Sequence, residues 1–189
     1  MQKVSIKKIS VSAIFIALAT VLSLIKIWQN PWGGSVTLFS MVPIVLIALI
    51  FGTRWGLFSA FVYALTQIGV DLAGMMAWGM DARMWIGAIV FDYLIAYTAI
   101  GLSGILRKKG TVGNCVGVIL ALATRFISHF VSGYIFFGIW MPEEFSHPAV
   151  YSAIYNGTYM LPELVTTVIA TLILYKTGVI KRITEILSK

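Results

Sequence analysis

R-F-I-S-H-F-V-S-G-Y-I-F-F-G-I-W-M-P-E-E-F-S-H-P-A-V-Y-S-A-I-Y-N occupies residues 125–156. Arg125 and His129 are four residues apart, so on a helix they share one face, one turn apart. Gly133 continues that face and Phe137 lies a further turn on. The run breaks at Met141-Pro142, crosses a short acidic loop, and re-enters an apolar run carrying Tyr151, Tyr155, Asn156 and Tyr159. Both flanks of the break are apolar enough to lie in a bilayer, where ionisable groups are expensive. Polar and aromatic side chains facing inward at that depth mark a ligand site by default.

The whole chain supports the membrane setting. Of its 189 residues 59% are hydrophobic and only 11% charged, with a mean hydropathy of +0.93. Soluble domains carry about 25% charged residues, so they are excluded. A span needs about 20 apolar residues, which leaves room for about six helices, short loops and no sizeable soluble part. The expectation is an all-α membrane protein, six transmembrane helices in a single compact bundle, forming one domain over residues 1–189. The start, M-Q-K-V-S-I-K-K, is a basic flank to a long apolar run without an A-x-A-like cleavage site, so it reads as a retained first helix. Cys115 is alone, with no disulfide partner and no metal-ligand company. No cofactor or metal is expected.

Taken in order, helix 1 is expected over about residues 10–28, with Ala13 and Ala17 one turn apart. Small residues at that spacing let a second helix approach closely in lipid. Packing within the bundle is one reading; docking to a separate membrane subunit is the other. A turn-rich break, Gln29 to Ser35, holds Trp32. Helix 2 is expected over about 37–51, interrupted by Pro43. Helix 3 follows over about 55–70 with Gln67 as its polar member. Residues 71–83 read as a loop. Helix 4 spans about 84–106 and carries Asp92-Tyr93, ending at Arg107-Lys108-Lys109-Gly110. Helix 5 covers about 112–138 and helix 6 about 149–176 with Pro162-Glu163, before a basic amphipathic tail.

The charge of +7 is distributed by side rather than aimed at a polyanion, so no nucleic-acid partner is expected. Six spans put both termini on one side, with Lys3, Lys7, Lys8, Arg54, Arg107, Lys108, Lys109, Lys176, Lys181, Arg182 and Lys189. The other side gets only Lys26 and Arg83, together with Asp71, Asp81, Glu143 and Glu144. Positive residues mark the cytoplasm. Both termini are expected to be cytoplasmic, and Asp92, His129 and Asn156 then lie in the outer-to-middle part of helices 4, 5 and 6.

The intramembrane polar set is Asp92, Arg125, His129, Asn156 and Glu163, with Gln67 and several tyrosines. A structural Asp92–Arg125 ion pair, a satisfied core histidine and an aromatic packing stripe are the ordinary readings of the parts. Each of these groups is nevertheless desolvated at a cost of several kcal/mol, so the set reads better as a pocket. No zinc-protease, nucleophile-elbow or phosphate-loop motif is present. An intramembrane enzyme using Asp92 and His129 remains the alternative. The pocket suits a ligand with a cationic or aromatic ring for the aromatic side chains and donors for Asp92.

Four blocks carry a resemblance: P-W-G-G-S-V-T-L-F-S-M-V-P-I with R-W-G after it, F-D-Y-L-I-A-Y-T-A-I-G-L-S-G, R-F-I-S-H-F-V-S-G-Y-I-F-F-G, and Y-S-A-I-Y-N-G-T-Y-M-L-P. Together, over about residues 8–178, the chain resembles the thiamine-specific substrate-binding S components (ThiT type) of energy-coupling factor transporters. The resemblance implies a high-affinity vitamin-binding subunit without ATPase activity. It would sit in a prokaryotic cell membrane beside a transmembrane coupling subunit and two cytoplasmic ATPases. It implies pocket roles for Asp92, Tyr93, His129, Gly133, Tyr151 and Asn156, a supporting role for Arg125, and coupling-subunit contact through Ala13 and Ala17. Phe137 stands where some relatives stack a tryptophan, Asp92 where some carry glutamate, and Trp32 is the candidate for a tryptophan of the first outer loop. Trp78 and Trp85 are candidates from the segment between helices 3 and 4. The same fold tuned to another vitamin or a thiamine precursor is the nearest alternative.

Overall fold

The computed structural model describes residues 6–30 and 34–188. Helix α1 (Ile6–Leu24) leads into a short antiparallel hairpin, β1 (Lys26–Gln29) and β2 (Ser35–Thr37), with Trp28 opposite Val36 and Gln29 opposite Ser35. This hairpin takes the place of the last residues of the expected first helix and of part of the turn-rich break after it. Its strands total seven residues, too few for a period of two to stand out.

Helix α2 (Val42–Phe51) starts later than expected, and Pro43 sits in its first turn rather than interrupting it. There the missing N–H has no intrahelical partner to lose. Residues 42–50 are all buried, as befits a helix that is apolar on every side. It is the hub around which α1, α3 and the later helices pack.

Helix α3 (Thr53–Ala77) runs seven residues beyond the expected end, so Asp71 is helical rather than in a loop. The chain turns at residues 78–81, and the Asp81 side chain caps the next helix by accepting from the Met84 N–H at 2.8 Å. That next rod, α4, covers residues 82–104 and changes its winding three times. It is α-helical over Ala82–Gly87, π-helical over Ala88–Ile95, α-helical at Ala96–Thr98 and 3-10 over Ala99–Gly104.

The basic stretch Arg107–Lys109 ends at Gly110, whose φ of +70° turns the chain back. Helix α5 (Gly110–Ile135) then packs antiparallel on α4. Ser103 lies against Gly117, the Ser128 hydroxyl donates to the Phe91 carbonyl, and Gly87 lies against Phe136. Helix α6 (Pro148–Lys176) and the short α7 (Val179–Ser188) complete the order. The apolar face of α7 explains its amphipathic pattern: Ile180, Ile183 and Leu187 pack on the α2 cluster.

Among the described residues four helical runs are long and apolar enough to cross a membrane: Ile6–Leu24, Thr53–Ala77, Ala82–Ile135 and Pro148–Lys176. The third is the α4–α5 pair that doubles back at Gly110. Apart from the apolar cluster around α2, polar side chains turn inward and apolar ones outward, which suits a lipid environment. On α5 the buried residues include Gly113, Asn114, Gly117, Arg125, Ser128, His129, Ser132 and Gly133, whereas Ile119, Leu120 and Ile127 are exposed.

Candidate functional site

Periodicity on α5 and α6 turns their polar stripes toward one cavity of about 810 Å³. It lies at the end of the bundle away from Arg54, Arg107 and Gly110. The last turns of α3, the π-helical part of α4, the second half of α5, the first half of α6 and the hairpin form its walls. Asp92, Tyr93, Arg125, His129, Gly133, Phe137, Tyr151 and Asn156 all line it, as do Gln67 and Glu163. Trp32 lies outside the described residues. Ala13 and Ala17 are elsewhere, exposed on α1, while Ser12 and Ala19 are the buried residues of that helix.

The centre of the site is a carboxylate with two donors. His129 Nδ1 is 2.8 Å from Asp92 Oδ1, and the Ser132 hydroxyl donates to Asp92 Oδ2 at 2.6 Å. A carboxylate has about four acceptor positions, so Asp92 retains capacity after both bonds. Bonding at Nδ1 makes Nε2 of a neutral His129 the acceptor, and that atom is buried without a protein partner. The order of the three groups matters chemically. The carboxylate, not the imidazole, sits in the middle, so Ser132 is not activated as a nucleophile in the manner of a hydrolytic triad.

The Asp92–Arg125 ion pair, the ordinary reading of those two residues, does not form among the described residues. Arg125, one turn before His129, reaches the other way: its guanidinium lies 4.6 Å from the Tyr97 ring centroid, with one nitrogen against the Met41 sulfur. Which residue meets Asp92 depends on how α5 is set against α4, and that register placed His129 opposite it. Arg125 thus supports the aromatic wall rather than the acid.

Asn156 is largely committed to the protein. Its amide donates to the Ser152 carbonyl at 2.9 Å and toward the His129 carbonyl at 3.3 Å, and its oxygen accepts from the Tyr159 hydroxyl at 2.6 Å. It ties α6 to the turn of α5 that carries the histidine. At Gly133 the two helices approach closely: a Cβ there would lie 2.4 Å from Ser152 Oγ. Ser152 in turn donates to the Phe130 carbonyl at 2.8 Å.

Aromatic faces surround the polar centre. Tyr151 stacks on Tyr155 and Tyr93 on Tyr97, with ring centroids 5.7 and 5.9 Å apart. Phe137 lies just beyond the end of α5 rather than on it, and contacts Trp140, which contacts Trp78. Trp78 therefore joins the site; Trp85 is not among the lining residues.

Several lining residues were not singled out from sequence. Ser132, which bonds Asp92 from behind the lining, is legible in principle, three residues after His129 on the same face. Tyr97 likewise follows Tyr93 by four. Asp71 and Lys26 were assigned to an outer surface, yet both line the cavity, and the Tyr93 hydroxyl donates to Asp71 Oδ2 at 3.1 Å. Glu163 holds the hairpin by accepting from the Thr37 N–H and from its hydroxyl at 2.7 Å. Among the described residues no three of His, Cys, Asp and Glu gather to hold a metal ion. The arrangement can surround a small ligand with acceptors and flat rings, and nothing in it assembles a nucleophile with its base.

Comparisons with known proteins agree with this chemistry. The family described as "Thiamine transporter protein (Thia_YuaJ)" matches residues 9–182. The thiamine transporter ThiT of Bacillus subtilis (strain 168) is 29% identical over 180 residues, covering 88% of each chain. A solved structure of ThiT from Listeria monocytogenes shares the fold, with a TM-score of 0.72 at 22% identity, over 90% of this chain and 94% of that one. The family pattern runs through every helix that builds the cavity. This chain therefore belongs to the thiamine transporter family, as a multi-pass membrane protein that is a transporter and not an enzyme.

Proposed function

We propose that the protein is the high-affinity thiamine-binding S component of an energy-coupling factor importer, capturing the vitamin from outside a prokaryotic plasma membrane. One integral-membrane unit of six spans, with both termini cytoplasmic, fits this role. None of Lys7, Lys8, Arg54, Arg107, Lys108, Lys109, Lys176, Lys181 and Arg182 lines the cavity, and positive residues favour the cytoplasm. The cavity then opens outward.

The observation that carries the reading is the cavity's composition: carboxylates, an imidazole and stacked tyrosines around one space of drug-like size. Thiamine has a permanently cationic thiazolium and an aminopyrimidine with a donor beside a ring nitrogen. Asp92 accepts from the exocyclic amine, with His129 and Ser132 holding the carboxylate in place. Phe137 and Tyr151 offer faces to the cation, each contact contributing about 0.5–2 kcal/mol. Tyr93 closes the α4 wall. Gly133 keeps α5 and α6 close, Arg125 fixes Tyr97, and Asn156 fixes His129 and Tyr159.

Uptake requires partners: a transmembrane coupling subunit and two cytoplasmic ATPases. Ala13 and Ala17 are exposed, small and one turn apart on α1, a face that admits close helix contact.

Titration calorimetry of the purified protein tests the substrate. Thiamine is expected to bind far more tightly than hydroxyethylthiazole or riboflavin, and Asp92→Asn or His129→Ala to weaken it by at least about tenfold. Tighter binding of the thiazole alone would assign the site to a precursor, and unchanged binding in both variants would remove the site altogether.

A further inference from the structure

Three carboxylates line the cavity, and they are not equivalent. Both oxygens of Asp92 accept from short protein donors, His129 and Ser132. Glu163 is 2% exposed and tethers the hairpin through Thr37. Asp71 differs from both. It lies on the last turns of α3, partly exposed to the cavity beside Gly74, Met75 and Trp78. Among the described residues its side chain accepts from the Tyr93 hydroxyl, at a long 3.1 Å. Lys26 of β1 is close enough to interact with it electrostatically. The Tyr93 ring that holds it is stacked on Tyr97, so the acid and a flat aromatic face belong to one wall.

A bound carboxylate with hydrogen-bond donors on both oxygens suits reading a donor edge. Asp71 accepts its hydrogen bond from a neutral hydroxyl, and its cationic neighbour Lys26 is exposed on β1, where solvent screens it, so the carboxylate keeps more of its field for a charge inside the cavity. We propose that Asp71 is the counter-ion of the ligand's fixed positive charge, and that it selects cationic over neutral rings while Asp92 reads the uncharged ring edge. The inference rests on thiamine being the ligand. It assigns charge selection to a residue on α3, opposite the α5 and α6 stripes.

The test is a cycle of two ligands and three variants. Wild-type protein, Asp71→Asn, Asp71→Glu and Asp92→Asn are titrated with thiamine and with its uncharged thiophene isostere, which keeps the shape but lacks the ring charge. Asp71→Asn is expected to weaken thiamine by about tenfold or more and to change isostere binding by less than about twofold. Asp71→Glu restores most of the preference for the cation, which a purely structural role would not require. Asp92→Asn weakens both ligands alike. Equal weakening of the two ligands by Asp71→Asn, or no weakening of either, overturns the assignment while leaving the thiamine site standing. A folded wild type that binds neither ligand overturns the thiamine reading itself.

Discussion

Replacing Gly133 by alanine puts one methyl group into a close α5–α6 contact beside the site. The new Cβ would stand 2.4 Å from Ser152 Oγ and 3.1 Å from its Cβ. Ordinary contact begins near 3.4 Å, so the helices must part by about 1 Å or Ser152 must leave its rotamer. Neither is cheap, because Ser152 donates to Phe130 and helps hold Asn156. Overpacking of this kind costs about 1–3 kcal/mol, or about 5- to 150-fold in an equilibrium constant. Gly133→Ala is therefore expected to weaken thiamine in calorimetry by a factor in that range and to lower the melting temperature of the detergent-solubilised protein. Adding Ser152→Gly removes the clash and recovers the melting temperature more than the affinity, since Asn156 has lost a partner. A Gly133→Ala protein that binds as tightly as wild type would refute the claim that this approach positions Asn156.

Other outcomes follow from the same contacts. Tyr159→Phe removes the hydroxyl that satisfies Asn156 Oδ1; leaving that buried acceptor bare is expected to cost about 1–3 kcal/mol of stability, read by thermal unfolding. Glu163→Gln weakens the acceptor that tethers Thr37, so amide exchange of the hairpin should quicken with little change on α2. Ala13→Trp or Ala17→Trp should leave thiamine binding by the isolated subunit intact and abolish uptake by the assembled importer; equal loss of both would make α1 a purely internal element.

The residues that the sequence puts on one face share a cause. Arg125, His129 and Gly133 lie on a regular stretch of α5, where the spacing alone dictates a common face. Asp71 was placed in a loop because Gly74, Gly79 and the methionines between them resemble one in composition. Glycine disfavours a helix by about 1 kcal/mol in water, but backbone in lipid must satisfy its own hydrogen bonds, so α3 continues. The π-helical winding around Asp92 comes from a shifted hydrogen-bond ladder and has no residue signature. The partner of Asp92 is a matter of register between two helices, which no single segment encodes, and the short hairpin strands fell below the length at which alternation can be counted.

A crystal structure of the protein grown with thiamine bears most directly on the account. The vitamin is expected inside the cavity between α4, α5 and α6, its aminopyrimidine within hydrogen-bonding distance of Asp92 and its thiazolium against the aromatic wall. Thiamine bound elsewhere, with Asp92 and His129 still engaged only with each other and Ser132, would contradict it.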